Sequence, residues 1–406
     1  MNFDVPHELE TFRSEVRQLA TARWGATIGE DDRQGRYDPD TFATMGREGW
    51  AGWCIPRTWG GRGHGYLSLG VLCEELERID GSLRIVLSVH LGLNSLALLQ
   101  WGSDEQRERW LRPQATGEKL ACFCLTEPGA GSDAAALSTR AVRHGGDWLL
   151  TGEKRWIGMA PIADHLLMFA RTGPDAGARG ISAFMIDRRE AGEALQTYKI
   201  EDKWGLRASP TGGVVLDGVR VPDDHMVGEQ GEGFKIAMSA LDNGRYTVAS
   251  ASAGLIDGCV EASVSYARSR TTFGEEIGRH QLVQQMIAEM AKDLDVSRLL
   301  WQRVGWMKNE GLRCTREVAL AKWYAADAAV RAADHAVQIH GANGYSDAYP
   351  AGRYYRNARV LPIYEGSREI QQLLQADYAL GYRQDRPLRR TLPPYTPDDQ
   401  DSTGLC

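Results

Sequence analysis

Apolar residues in this chain repeat at helical spacing, then at strand spacing, then at helical spacing again, and that order limits the fold more than any other feature. Leu9, Phe12, Val16 and Leu19 recur at three- and four-residue steps and mark one helix face. Helical pattern continues over Tyr66–Ile79 and 91–101, and over 104–111 behind Gly102-Ser103. From about Leu120 short β-type runs take over, at 148–151, 165–170, 181–186 and 214–221, separated by Gly, Asp and Pro. Asp217-Gly218 reads as a tight turn between two such runs. Long helical stretches follow at 255–268, Gln281–Asn309 and 316–340, with Leu282, Met286, Met290 and Leu294 spaced by four. The order predicts an α+β chain: helical residues 1–118, a β block over 119–230 and a helical bundle over 231–383. Residues 384–406, with Pro387, Pro393, Pro394, Pro397 and several Asp, are expected to be a disordered tail.

Bulk properties remove several classes of function. A net charge of −7 over 406 residues argues against nucleic acid as the main partner. No uninterrupted apolar run is of membrane-spanning length and Met1–Ala20 shows no charged-then-apolar leader pattern, so a soluble cytoplasmic protein with no membrane partner is expected. The seven cysteines are scattered, Cys122 and Cys124 lack zinc-type partners, and His335 and His340 point to different helix faces; no metal site is predicted. The glycines from Gly60 to Gly65 follow no strand and match no phosphate-loop spacing, so they read as a structural loop.

Two short segments carry chemistry. Cys124-Leu125-Thr126-Glu127-Pro128-Gly129-Ala130-Gly131-Ser132-Asp133 crowds hydroxyls and permissive glycines into one turn, where backbone N–H groups can meet a polar ring-bearing ligand. Ile363-Tyr364-Glu365-Gly366-Ser367 plants one carboxylate among apolar neighbours. Poor solvation disfavours the charged form, which makes such a carboxylate a stronger base. A cradle plus a desolvated base points to cofactor-assisted proton abstraction.

With these residues in view the chain resembles the acyl-CoA dehydrogenase family over about residues 5–383. Five motifs fall in the family's order. Phe123, Leu125 and the turn through Asp133 resemble the signature that lines the flavin, and Trp156-Ile157 the pair beside its ring. Arg270-Thr271-Thr272-Phe273-Gly274 with Gln281 resembles the segment that reaches the FAD of a neighbouring subunit. The stretch from Gln338 through Gly341 to Tyr345 is similar to the second cofactor segment, and Tyr364-Glu365-Gly366-Ser367 with Gln371 to the motif holding the base. The resemblance implies an amino-terminal helical domain, a middle β-barrel or sandwich and a carboxy-terminal four-helix bundle, assembled as a homotetramer. It further implies that FAD is held by Phe123, Leu125, Thr126, Gly131, Ser132, Trp156, Ile157, Arg270, Phe273, Gln281, Gln338, Gly341, Ser367 and Gln371.

The implied reaction is α,β-dehydrogenation of an acyl thioester. Glu365 takes the α-proton and the β-hydrogen leaves as hydride to the flavin. The backbone N–H at the base and a cofactor hydroxyl would stabilise charge on the thioester oxygen. Some relatives carry the base just before an Arg on an earlier helix; here that position is Gly244, before Arg245, which leaves Glu365 unrivalled. Asp242 and Arg245 match residues that hold the pantetheine and thioester end, with Ser132 and Gly366 also on the substrate side. The run from Glu77 through Arg84 and Ser88 resembles the glutaryl-CoA dehydrogenase branch, in which an Arg and a Ser receive a distal carboxylate; pairing of Arg84 with Glu77 or Asp80 is the competing structural role. Ile85 and Gly158 depart from that branch, and Gly158 also replaces the Thr usual after Trp-Ile. Three enzyme readings stay open: a dehydrogenase serving an electron-transfer flavoprotein, an acyl-CoA oxidase using oxygen, and a dehydrogenase of acyl groups on an acyl carrier protein. A flavin-binding scaffold or damage-response protein of this fold without dehydrogenase activity is a fourth, against which Glu365 in its motif speaks.

Overall fold

The computed structural model describes residues 6–173 and 176–396. Its amino-terminal part packs α1 (His7–Trp24) on α2 (Tyr66–Ile79), with Leu9, Phe12 and Val16 buried as their spacing requires. Charged residues lie between these helices. Arg13 donates to Glu74 and Glu75 at 2.7 and 3.1 Å, and Arg17 meets Glu75 and Asp257, each at 2.8 Å. Glu74, Glu75 and Asp257 gather as metal ligands would, but Arg13, Arg17 and Arg298 already supply the positive charge.

Asp80 then starts α3, the continuous helix Gly81–Trp101, by accepting from Ser82 N at 2.8 Å. Asn357 Nδ2 donates to the same carboxylate at 2.9 Å, which pins the start of α3 to a distant helix. Residues Ser88–Ser95 widen into a π-helical segment, a departure often found at functional sites. This helix is long and apolar enough to cross a membrane, yet its apolar window is wholly buried inside the protein, as a core helix should be.

The β block has eight strands: β1 (Ala121–Cys124), β2 (Arg140–His144), β3 (Asp147–Gly158), β4 (His165–Arg171), β5 (Ile181–Asp187), β6 (Leu195–Lys199), β7 (Thr211–Pro222) and β8 (Met226–Val227). Their order is β6-β7-β3-β2-β4-β5-β8, with β1 parallel to β4. β2 meets β4 at the single pair Arg140↔Arg171, so two half-sheets hinge there. Trp148 of one half packs edge-on to Phe184 of the other at 5.7 Å, which makes the block a sandwich around an aromatic core. Asp217-Gly218 is not the expected turn. Thr211–Pro222 is one strand, and Gly218 (φ 70°) is the extra residue of a bulge opposite Leu150 and Thr151.

The carboxy-terminal bundle comprises α4 (Gly233–Ser269), α5 (Gln281–Asn309), α6 (Thr315–His340) and α8 (Arg368–Ala379), with the short α7 (Ala351–Ala358) between the last two. α4 begins 22 residues before the stretch expected from periodicity, because Asn243, Arg245, Thr247, Ser250 and Ser252 are polar yet buried on it. The tail also differs from expectation as far as residue 396. Arg390 donates to the carbonyls of Trp101 and Gly102 at 2.9 and 2.7 Å, and Tyr395 N to Asn309 O at 2.9 Å, so 384–396 straps the surface. The rest of that tail, with Pro397, lies outside the described residues.

Candidate functional site

Glu365 sits in a turn built against steric preference. Its φ is 55° and that of Gly366 is 86°, two successive left-handed residues of which only the glycine adopts this readily. Tertiary donors hold the turn. Gln371 Nε2 donates to Gly366 O at 3.0 Å, Lys322 Nζ to the same oxygen at 2.8 Å, and Arg245 Nε to Glu365 O at 3.3 Å. Ser367 ends the turn by capping α8, its hydroxyl accepting from Ile370 N at 3.4 Å.

The turn aims the carboxylate at α4. Glu365 Oε2 is buried and has no hydrogen-bond partner. A Cβ at Gly244 would lie 2.3 Å from it, so the missing side chain at 244 is the space the Glu365 carboxylate occupies. Burial pushes the Glu365 carboxyl up to about 7, against the pull of Arg245, Lys322 and Arg84. A carboxylate tuned to neutrality, held without a partner, is equipped to take a proton from carbon.

Arg84 and Ser88 lie on α3 in the same connected set. Arg84 Nε pairs with Glu77 Oε2 at 2.7 Å with both side chains fully buried, and Nη2 bonds the hydroxyl of Tyr364, next to the base. Of the two roles open in the sequence, the pairing with Glu77 is made. Arg84 Nη1 and Glu77 Oε1 have no hydrogen-bond partner. Ser88 shares a hydrogen bond with Thr247 of α4. Asp242 and Arg245 come together at 2.9 Å, and Thr315 Oγ1 donates to Asp242 at 2.7 Å.

The glycine–hydroxyl turn is anchored by a buried ion pair absent from the sequence reading. Lys154 Nζ of β3 lies 2.7 Å from Glu127 Oε1 and 3.2 Å from Leu125 O; Thr139 N donates to the same Oε1 at 3.0 Å and Ser138 N to Oε2 at 2.6 Å. Burial pushes the Glu127 carboxyl up, but Lys154 and these donors outweigh it and bring it down to about 2. Phe123 and Leu125 are buried beneath the turn, whereas Gly131 and Ser132 are exposed and Thr126 half-exposed. Arg155 N donates to Thr126 O at 2.9 Å, which brings Trp156 alongside. Trp156 is 57% exposed with φ 63°, at a break in the β3–β7 ladder, and Ile157 behind it is buried. Gln371 adds a buried Oε1 without a partner. A bare indole face, an open turn of hydroxyls and amides and an orphaned amide oxygen fit the flat ring and polar edge of a flavin.

Arg270, Phe273, Gln281, Gln338 and Gly341 are all exposed, Phe273 to 98% and in a left-handed conformation. Among the described residues, none of their hydrogen bonds or ring contacts reaches the Glu365 turn or the 125–133 turn. Gly158, at the end of β3, faces α3: a Cβ there would come within 3.1 Å of Val89 Cγ2. Sequence reasoning missed Lys322. The signal was a lone lysine in step with Val318, Ala319, Ala325, Ala326 and Ala329 on the buried face of α6.

Comparison with known proteins agrees with this architecture. The acyl-CoA dehydrogenase N-terminal, middle and C-terminal domain families match residues 6–118, 122–219 and 231–380. The caffeyl-CoA reductase-Etf complex subunit CarC of Acetobacterium woodii is 38% identical over 347 residues, 86% of this chain and 91% of that one. The structure of butyryl-CoA dehydrogenase from Megasphaera elsdenii superposes with a TM-score of 0.91 at 33% identity, covering 94% of this chain and 100% of the other. That of a glutaryl-coenzyme A dehydrogenase in complex with glutaryl-CoA gives 0.90 at 34%, covering 94% and 98%. With all three domains matched and the FAD-type cradle and buried carboxylate in place, the chain belongs to the acyl-CoA dehydrogenase family of FAD-dependent oxidoreductases.

Proposed function

We propose that the protein dehydrogenates a short acyl thioester between its α and β carbons, with Glu365 as the base. The observation that carries this is the unpartnered, buried Oε2 of Glu365 in the space left by Gly244. Thr126, Gly131, Ser132, Trp156, Ile157, Ser367 and Gln371 would hold FAD, which supplies the hydride acceptor when bound. Glu365, ionised above about pH 7, accepts the α-proton at Oε2. Arg245 and Gln371 fix the carbonyl of Glu365 and so the direction of its side chain. The backbone N–H of Glu365 would donate to the negative charge that develops on the thioester oxygen. Asp242 and Arg245 orient the pantetheine arm.

The far end of the acyl group meets Arg84. Its remaining donor, Nη1, favours a chain ending in a hydrogen-bond acceptor, such as the distal carboxylate of a glutaryl group. Glu77 favours the second reading, a plain butyryl-type chain, because it already balances the Arg84 charge. Exposed Arg270, Phe273, Gln281 and Gln338 support assembly as a homotetramer in which each copy completes a neighbour's cofactor site. Likeness to a subunit of an Etf complex supports an electron-transfer flavoprotein as acceptor. The bare Gly158 against Val89 keeps oxygen as the alternative, and acyl-carrier-protein thioesters remain an alternative to CoA esters.

The test is anaerobic titration of the flavin-loaded protein with glutaryl-CoA and, in parallel, butyryl-CoA, following flavin absorbance. Bleaching by either supports the reaction, and the preferred ester decides the role of Arg84. Glu365→Gln should retain FAD and lose bleaching; retained bleaching would remove Glu365 as the base.

A further inference from the structure

We propose that Lys322 is a positioning residue for the base: its buried ammonium braces the Gly366 carbonyl and keeps the adjoining Glu365 carboxylate ionisable. The inference rests on the assignment of Glu365 above. Lys322 is fully buried on α6, on a face of valine and alanine, where an ammonium is strongly disfavoured unless something engages it. Its hydrogen bond goes to Gly366 O at 2.8 Å. That oxygen belongs to the second of two left-handed residues, so the ammonium helps hold the conformation that directs the base.

Charge complementarity gives the second argument. Glu365 is surrounded by Arg84, Arg245 and Lys322, with the Tyr364 hydroxyl beside it. Arg84 is already paired with Glu77, and Arg245 with Asp242 at 2.9 Å. Asp327 and Glu369 also face Lys322, but Asp327 is taken by Arg368 at 2.7 Å and Glu369 is exposed on α8. Among the described residues no carboxylate lies within ion-pairing distance of Lys322. It is the one cation of the three whose charge is not locally balanced, and Glu365 is the group that most favours its protonation. Burial lowers the Lys322 ammonium to about 7 and raises the Glu365 carboxyl to about 7, and each group's charge favours the ionised form of the other.

The experiment follows the infrared carboxyl stretch of Glu365 from pH 5 to 9 in the flavin-loaded protein, the band being assigned by its absence in Glu365→Gln. Lys322→Met should raise the midpoint by about one pH unit. The acid limb of flavin reduction should move with it, and the high-pH plateau should fall because the turn loosens. Lys322→Gln can still donate to Gly366 O without charge, so it should shift the midpoint equally but keep more of the plateau. An unshifted midpoint in both variants, with only a lower melting temperature, would overturn the inference and make Lys322 structural. If Lys322→Met does not fold, the midpoint of Lys322→Gln decides alone. Retained bleaching in Glu365→Gln would instead remove the base assignment, and this inference with it.

Discussion

Gly244→Ala places one methyl group against the base. The new Cβ would stand 2.3 Å from Glu365 Oε2, 2.7 Å from its Cδ and 2.8 Å from Leu93 Cδ2. Ordinary contact begins near 3.4 Å, so the carboxylate must withdraw by about 1 Å. A displacement of that size costs on the order of 100-fold in rate, or about 2.7 kcal/mol of barrier. Stability should change much less. Alanine in a helix interior gains about 1 kcal/mol over glycine, against roughly 1–3 kcal/mol for overpacking. The assay is stopped-flow anaerobic flavin reduction by whichever of butyryl-CoA or glutaryl-CoA bleaches the wild type, alongside a thermal melt. In a Glu365→Asp background the shorter side chain relieves the overlap, so the two losses should combine to less than their product. Wild-type reduction rates in a normally folded Gly244→Ala protein would refute the reasoning, because the base would not then need the space.

Two further outcomes follow from buried charge. Burial raises the folded-state carboxyl of Glu365 from 4.5 to about 7, so folding favours its protonated form and stability is lost as pH rises through that interval. Glu365→Gln should therefore gain up to about 3 kcal/mol over wild type at pH 8 and little at pH 5, read from denaturant titrations at the two pH values; an equal gain at both would contradict the shift. Arg84→Ala leaves Glu77 buried alone and the Tyr364 hydroxyl unbonded, with an expected loss of about 3–5 kcal/mol, whereas Glu77→Met with Arg84→Met should recover most of it. A single variant as stable as wild type would show that the pair is not buried as described.

The helix–β–helix order and the turn that carries the Glu365 carboxylate were legible in the sequence because each rests on local signals. Leu9, Phe12 and Val16 lie on one face at helical spacing, and the Tyr364–Ser367 turn carries its own glycine and cap. The reading failed where a partner distant in sequence decides. Gly218 looks like a turn residue until β3 is alongside, when it becomes a bulge. Residues 384–396 look unstructured until Arg390 finds the carbonyls at the end of α3. For Arg84 the sequence left a substrate role and a pairing with Glu77 or Asp80 equally open; the folded chain makes the Glu77 pair and adds the distant Tyr364.

What the sequence determined was the set of elements and the groups able to do chemistry, since backbone propensity and side-chain type are properties of a residue and its near neighbours. What tertiary structure decided was the state of those groups. Burial in the space that α4 leaves at Gly244 raises the Glu365 carboxyl to about 7, while Lys322 of α6, bonded to the next carbonyl, pulls it the other way. Desolvation and charge act through space, and Gly244 and Lys322 reach Glu365 only after the bundle has closed.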